Sequence, residues 1–219
     1  MNARRTLQSR IFFVTYLVTF NAIWTIWVLI GYPRLRAVGE QTLQYALINL
    51  SVRGLVWVLP VFLYLRYIDR VPASTYLRLR RHWLRGVLVG LGFSALTFLL
   101  SLAQHGLPQL RTGVITWNSV LSTSLLIGFV EEVPYRGFIF QKLCAWSSRK
   151  LAVLLSSLLF VAIHLPGWLS LHLFTIHNMI FVFVFGVLMA ILLVSAKSLW
   201  APIVSHSLND FLSALLFHI

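Results

Sequence analysis

The chain has few acids: five Asp and Glu among 219 residues, against eighteen Lys and Arg, for a net charge of +13. It has one cysteine, Cys144, so an internal disulfide is excluded and cysteine spacing is silent on redox compartment. It also lacks an HExxH motif, a Gly-rich phosphate loop and a Cys ligand cluster, the signatures of zincins, nucleotide binders and zinc modules. Charged residues are 11% of the chain, under half the roughly 25% of soluble domains. With 59% hydrophobic residues and a mean hydropathy of +0.85, it cannot cover a water-facing globule. Lipid must be the solvent for most of it. The surplus of cations does not point to nucleic acid, because they sit between apolar blocks, where membrane spans are flanked.

What the chain does have is apolar blocks of spanning length, about 20 residues each. They run about 11–31, 43–65, 86–104, 114–146 (over-long), 150–165, 173–194 and 199–217. The first follows Arg4, Arg5 and Arg10 but is too long for a signal peptide and has no small-x-small cleavage site, so an uncleaved anchor is expected. No internal repeat or long linker divides the chain. The expectation is all-α: a polytopic membrane helix bundle of about seven (seven to eight) transmembrane helices around a polar cavity, one integral membrane domain over 1–219. Basic residues concentrate in the connections 66–85, 142–150 and 195–198, which places these together on the cytoplasmic side with the N-terminus. The cell membrane, plasma or inner, is the expected location, and tryptophans are expected mostly at span ends.

Ionisable residues in hydrocarbon cost at least ~2.5–3.5 kcal/mol and mark functional sites by default. Here they are Arg53, Glu131, Glu132, Arg136, His164, His177, His206 and Asp210. Three short patterns hold most of them: Glu131-Glu132-x-x-x-Arg136, Phe160-x-x-x-His164 and His206-x-x-x-Asp210. If the chain reverses near Ser148, Glu132 and His164 lie sixteen residues on either side of the turn, at matching depth. His206 lies eight residues past a turn at Ser198, and a projecting end on the over-long helix narrows the difference. These groups can converge on the cytoplasmic half of the membrane.

One chemistry open to such a set is hydrolysis, which needs a base for water and stabilisation of the oxyanion. Glu131 is the candidate base, and His164 can hold the same water. Glu132 and Arg136, at i and i+4, form an ion pair that orients the site. Phe160 packs the His164 helix. Pro134 should kink its helix just past the carboxylates and free carbonyls for the cavity. Arg53 has several open readings: balancing the carboxylates, lining the cavity or pairing with carbonyls. His177 is assigned to helix packing. Glu131, His164 and His206 can also be read as a Glu-His-His zinc set, although metal-independent glutamate catalysis is favoured and no cofactor is then required. Competing readings of the same residues are a buried structural ion-pair cluster, a proton-coupled transporter and a non-catalytic membrane scaffold or immunity protein that binds a peptide.

The order EExxxR, FxxxH, Hxxx(Asn/Asp) on successive membrane helices resembles the CAAX prenyl protease and bacteriocin-processing family, also called Abi, of intramembrane endopeptidases. The resemblance covers 115–215 and leaves the N-terminal helices, 1–110, without a role. It implies Glu131 and His164 on the water and His206 with Asp210 at the oxyanion, so that the catalytic set is Glu131, His164, His206 and Asp210. It also implies a membrane protein or peptide as substrate, with C-terminal tails among the candidates. One departure stands out: the family often has Asn where this chain has Asp210, and an ionised Asp repels an oxyanion. Asp210 must then be protonated, orient His206 or serve as a ligand.

Overall fold

The computed structural model describes residues 3–108, 110, 113 and 115–216, with side chains from residue 8 onward. Arg111 and His218 lie outside the described residues, as do the side chains of Arg4 and Arg5. No strand occurs among the described residues, and the chain is all-helical. Seven long helical segments follow in order: α1, Gln8–Arg36; α2, Leu43–Ile68; α3, Trp83–His105; α4, 127–146; α5, Arg149–Ser170; α6, Ile176–Ala196; and α7, Trp200–Leu216.

Five of these, α1, α2, α3, α5 and α6, are long and apolar enough to cross a membrane, which makes this a multi-pass membrane protein. Length and composition among the described residues therefore do not confirm the expected count of seven. α4 falls short because it carries Glu131, Glu132, Arg136 and Lys142, and α7 is 17 residues long. These two helices bear most of the charged motif residues.

Local sequence sets the helix ends. Thr42, Ser148 and Thr175 accept hydrogen bonds from the backbone N–H of Tyr45, Leu151 and Asn178, which caps α2, α5 and α6. The over-long block 114–146 is not one helix. A capping box of Thr116 and Ser119 starts the short helix Trp117–Leu121. Turns follow over 122–126, where Ser122 donates to the Ala46 carbonyl at 3.0 Å. α4 begins only at Ile127. Hydroxyls in this stretch satisfy backbone groups locally and compete with the helix ladder.

Prolines widen the helices instead of breaking them. Wide i→i+5 turns cover Val133–Ile139 around Pro134, and also Trp27–Gly31 and Gly54–Val58, just before Pro33 and Pro60. A proline cannot donate to the carbonyl four residues back and its ring crowds that carbonyl, and a wide turn relieves both. The expected kink at Pro134 is such a bulge, and α4 runs on through it. α5 likewise continues past Pro166 to Ser170.

α4 is the central helix: every residue from 130 to 140 is buried. Aromatic rings from α1, α2 and α5 pack around it, including Phe13 and Tyr16 on Phe138, Trp57 on Tyr135, and Phe160 on Tyr135 at 4.9 Å. Trp24 and Trp57 are buried here in an edge-to-face pair at 4.9 Å, not at span ends as the belt expectation had it. In lipid, helices associate through close packing of small residues and through polar contacts. Gly86, Gly90 and Ser94 line one face of α3 against α7, where a Cβ on Gly90 would lie 2.7 Å from the Ala201 carbonyl oxygen.

The three basic connections meet at one end of the bundle. Lys142 pairs with Asp69 at 2.6 Å, Gln141 donates to the Tyr76 carbonyl, and Trp200 Nε1 donates to the Leu79 carbonyl. Arg85 donates to the Ser195 carbonyl at 2.8 Å, beside the end of α6. A Cβ on Gly137 would lie 3.0 Å from Leu199, so the turn before α7 docks partway along α4. The nine residues from there to Trp146 project about 14 Å past it at 1.5 Å per residue.

Candidate active site

The site is built where α4 meets α7. Gly128 lets them touch: a Cβ there would fall on the carbonyl oxygen of Ile203 and lie 2.9 Å from the Ser207 backbone nitrogen. One turn further on, Glu132 is fully buried and its Oε1 accepts from two donors, Arg136 Nη1 at 3.1 Å and His206 Nδ1 at 2.7 Å. The i, i+4 spacing of Glu132 and Arg136 supplies the first bond within α4, and α7 supplies the second. Arg136 also sits over Phe160 of α5, 4.2 Å from the ring centre. This cation–π contact is worth about 2 kcal/mol when desolvated.

Glu131 faces different partners. Its Oε1 pairs with Arg53 Nη1 of α2 at 3.3 Å, and its Oε2 lies 4.0 Å from His206 Nε2. On the other side of His206, Asp210 Oδ2 lies 3.5 Å from the same nitrogen. His206 therefore sits among three carboxylates: it donates Nδ1–H to Glu132 and turns Nε2 toward Glu131 and Asp210. Phe185 of α6 packs edge-on against its ring at 4.7 Å. Burial grades outward, from Glu132 at 0% through Glu131 at 8% to Asp210 at 37% side-chain exposure. Asp210 is thus the member nearest the surroundings.

His164 joins from α5. Its Nδ1 lies 2.7 Å from the Phe160 carbonyl of its own helix. A carbonyl only accepts, so Nδ1 carries a proton and Nε2 is the nitrogen left for another partner. The ring packs against Phe160 at 4.9 Å and lies within electrostatic reach of Glu131, His206 and Arg53. Asn209, next to Asp210, faces α3 instead, accepting from Thr97 at 2.6 Å, and so helps to seat α7. His177 is exposed at the start of α6 and does not take the packing role expected of it.

All seven catalytic or supporting candidates, Glu131, Glu132, Arg136, Phe160, His164, His206 and Asp210, fall into this one neighbourhood. The structure adds Arg53, which depth alone had marked and no motif contains. As arranged, no three His, Cys, Asp or Glu side chains among the described residues form a group that could hold a metal ion. His206 Nδ1 is taken by Glu132 and His164 Nδ1 by a carbonyl, which fixes both rings and leaves Nε2 of each as the nitrogen open to a further partner.

Residues 113–212 match the family model described as type II CAAX prenyl endopeptidase Rce1-like. The chain carries an Rce1-like domain. Comparison with the curated proteins and with the solved structures returned no match. The Rce1-like domain spans α4 to α7 and contains every motif residue named above, whereas Arg53 and Trp24 lie outside it. The family is one of proteases, and the match supports an intramembrane protease activity in general.

Proposed function

We propose that the chain is an endopeptidase of the cell membrane that hydrolyses a peptide bond of a membrane-associated protein or peptide, without a metal. The observation that carries this reading is the separation of the two glutamates. Glu132 is locked between Arg136 and His206, whereas Glu131 keeps one oxygen toward His206 Nε2. Glu132 is then structural and Glu131 is the working carboxylate.

In the reaction, water lies between Glu131 and His164 Nε2. Glu131 takes its proton as the oxygen attacks the carbonyl carbon. With both ring nitrogens protonated, His206 donates Nδ1–H to Glu132 and Nε2–H to the oxyanion. Asp210 orients that ring from 3.5 Å away, which accounts for an Asp where an oxyanion-binding Asn is more usual. On collapse the C–N bond breaks and Glu131 returns the proton to the leaving amine. A preorganised oxyanion donor of this kind contributes about 2.7–4 kcal/mol and a positioned base roughly 10²–10⁴-fold. The N-terminus and the site are assigned to the cytoplasmic side on the basic end described above.

The test compares C-termini across the membrane proteome in cells expressing the wild type or Glu131→Ala. Proteins whose C-termini are shortened only with the wild type name the substrate. Identical C-termini in both would refute the function.

A further inference from the structure

We infer that Arg53, held by Trp24, is a positioning residue for this reaction, so that the working site extends beyond the Rce1-like domain into α1 and α2. The inference rests on the proposed function. Arg53 is carried on α2, seventy-eight residues before its partner Glu131, and its side chain is 13% exposed. The guanidinium lies 5.2 Å over the Trp24 ring of α1. Trp24 is pinned edge-on against Trp57, which lies 5.9 Å from Tyr135. Tyr135 stands four residues after Glu131 on α4, so the chain of contacts closes on the same helix face. The wide turn Gly54–Val58 starts immediately after Arg53.

Charge explains why the clamp is needed. Arg136 is committed to Glu132, so the ion-pair partners of Glu131 are Arg53 and, when protonated, His206. Without Arg53, Glu131 is drawn onto His206 Nε2, from its present 4.0 Å into a direct ion pair. That collapse would join the base to the oxyanion donor and disable both. Arg53 holds Oε1 on the α2 side and keeps the two apart. A charge alone can balance Glu131; a fork seated on an indole ring also fixes its direction.

The test uses full-length protein in liposomes and a quenched-fluorescent peptide spanning the cleavage junction found in the C-terminus comparison. Arg53→Met should lower kcat about 100-fold, the size of a 1 Å misplacement at a reacting group, with KM little changed. Arg53→Lys should recover part of kcat, and Trp24→Leu should lower kcat less than Arg53→Met while leaving the charge in place. Thermal melts of each variant correct for the folded fraction. If the wild type cleaves and Arg53→Met matches it per folded molecule, the inference falls while the proposed function stands. A loss in Arg53→Met fully restored by lysine, with Trp24→Leu silent, reduces Arg53 to a counter-charge and also sinks the inference. A wild type that cleaves nothing refutes the function and the inference with it.

Discussion

Glu132 is the most deeply buried charge among the described residues, and removing its partner should be the most destabilising change in the site. Arg136→Met keeps most of the side-chain volume but deletes the cation, both at 3.1 Å from Glu132 and over the Phe160 ring. Glu132, fully buried, is then left with His206 alone. Removing one partner of a buried pair costs about 3–5 kcal/mol, and losing the cation–π contact adds up to about 2 kcal/mol. At roughly 2–4 °C per kcal/mol for a chain of this size, the melting temperature should fall by at least 6 °C. Arg136→Met combined with Glu132→Gln removes both charges and leaves an amide oxygen for His206 Nδ1. The double variant should be the more stable of the two, with a coupling energy of about 2 kcal/mol or more. Thermal and SDS-induced unfolding in detergent, followed by tryptophan fluorescence, measures all four corners of the cycle. Losses that simply add, or an Arg136→Met loss below about 1 kcal/mol, would refute the account of Glu132 as a carboxylate held by two donors.

Gly128→Ala should push α7 away from α4 at Ile203 and Ser207, and cleavage should fall more than stability because His206 moves with α7; unchanged activity would show that the contact tolerates a methyl group. Asp69→Asn should cost stability, about 1–3 kcal/mol for a buried hydrogen-bonded charge, with cleavage per folded molecule unchanged, since Lys142 and Asp69 tie α2 to α4 away from the site. Asp210→Asn should leave the fold intact and lower kcat without changing KM; an unchanged kcat would remove Asp210 from the orientation of His206. Cleavage should survive chelation, and stoichiometric zinc whose removal abolishes activity would overturn the metal-independent mechanism.

Much of the site was legible because membrane depth makes charge conspicuous. EExxxR, FxxxH and HxxxD stood out against their apolar surroundings, and the basic connections correctly grouped at one end. Arg53 was conspicuous too, but its partner was not, because nothing local links residue 53 to residue 131. The break at 122–126 had a signal in Ser122, Thr123 and Ser124, which overall apolarity masked. Gly86-x-x-x-Gly90-x-x-x-Ser94 was a readable small-residue stripe that announced the α3 contact with α7. The burial of Trp24 and Trp57 carried no such mark, since a tryptophan near a span end and one under a neighbouring helix look alike in one dimension.

The five acids all have partners: Glu40 with Arg36, Asp69 with Lys142, Glu131 with Arg53, Glu132 with Arg136 and His206, and Asp210 with His206. The chain is synthesised from its N-terminus, and these pairs do not close in that order. Arg53 enters the bilayer seventy-eight residues before Glu131 is made. Until then it has the Trp24 ring but no carboxylate to set against an insertion cost of about 2.5–3.5 kcal/mol. Glu132 meets Arg136 within one turn but waits seventy-four residues for His206. Assembly of the site therefore waits for α7, and a chain arrested before α7 would hold the acids of α4 in the membrane with His206 still to come.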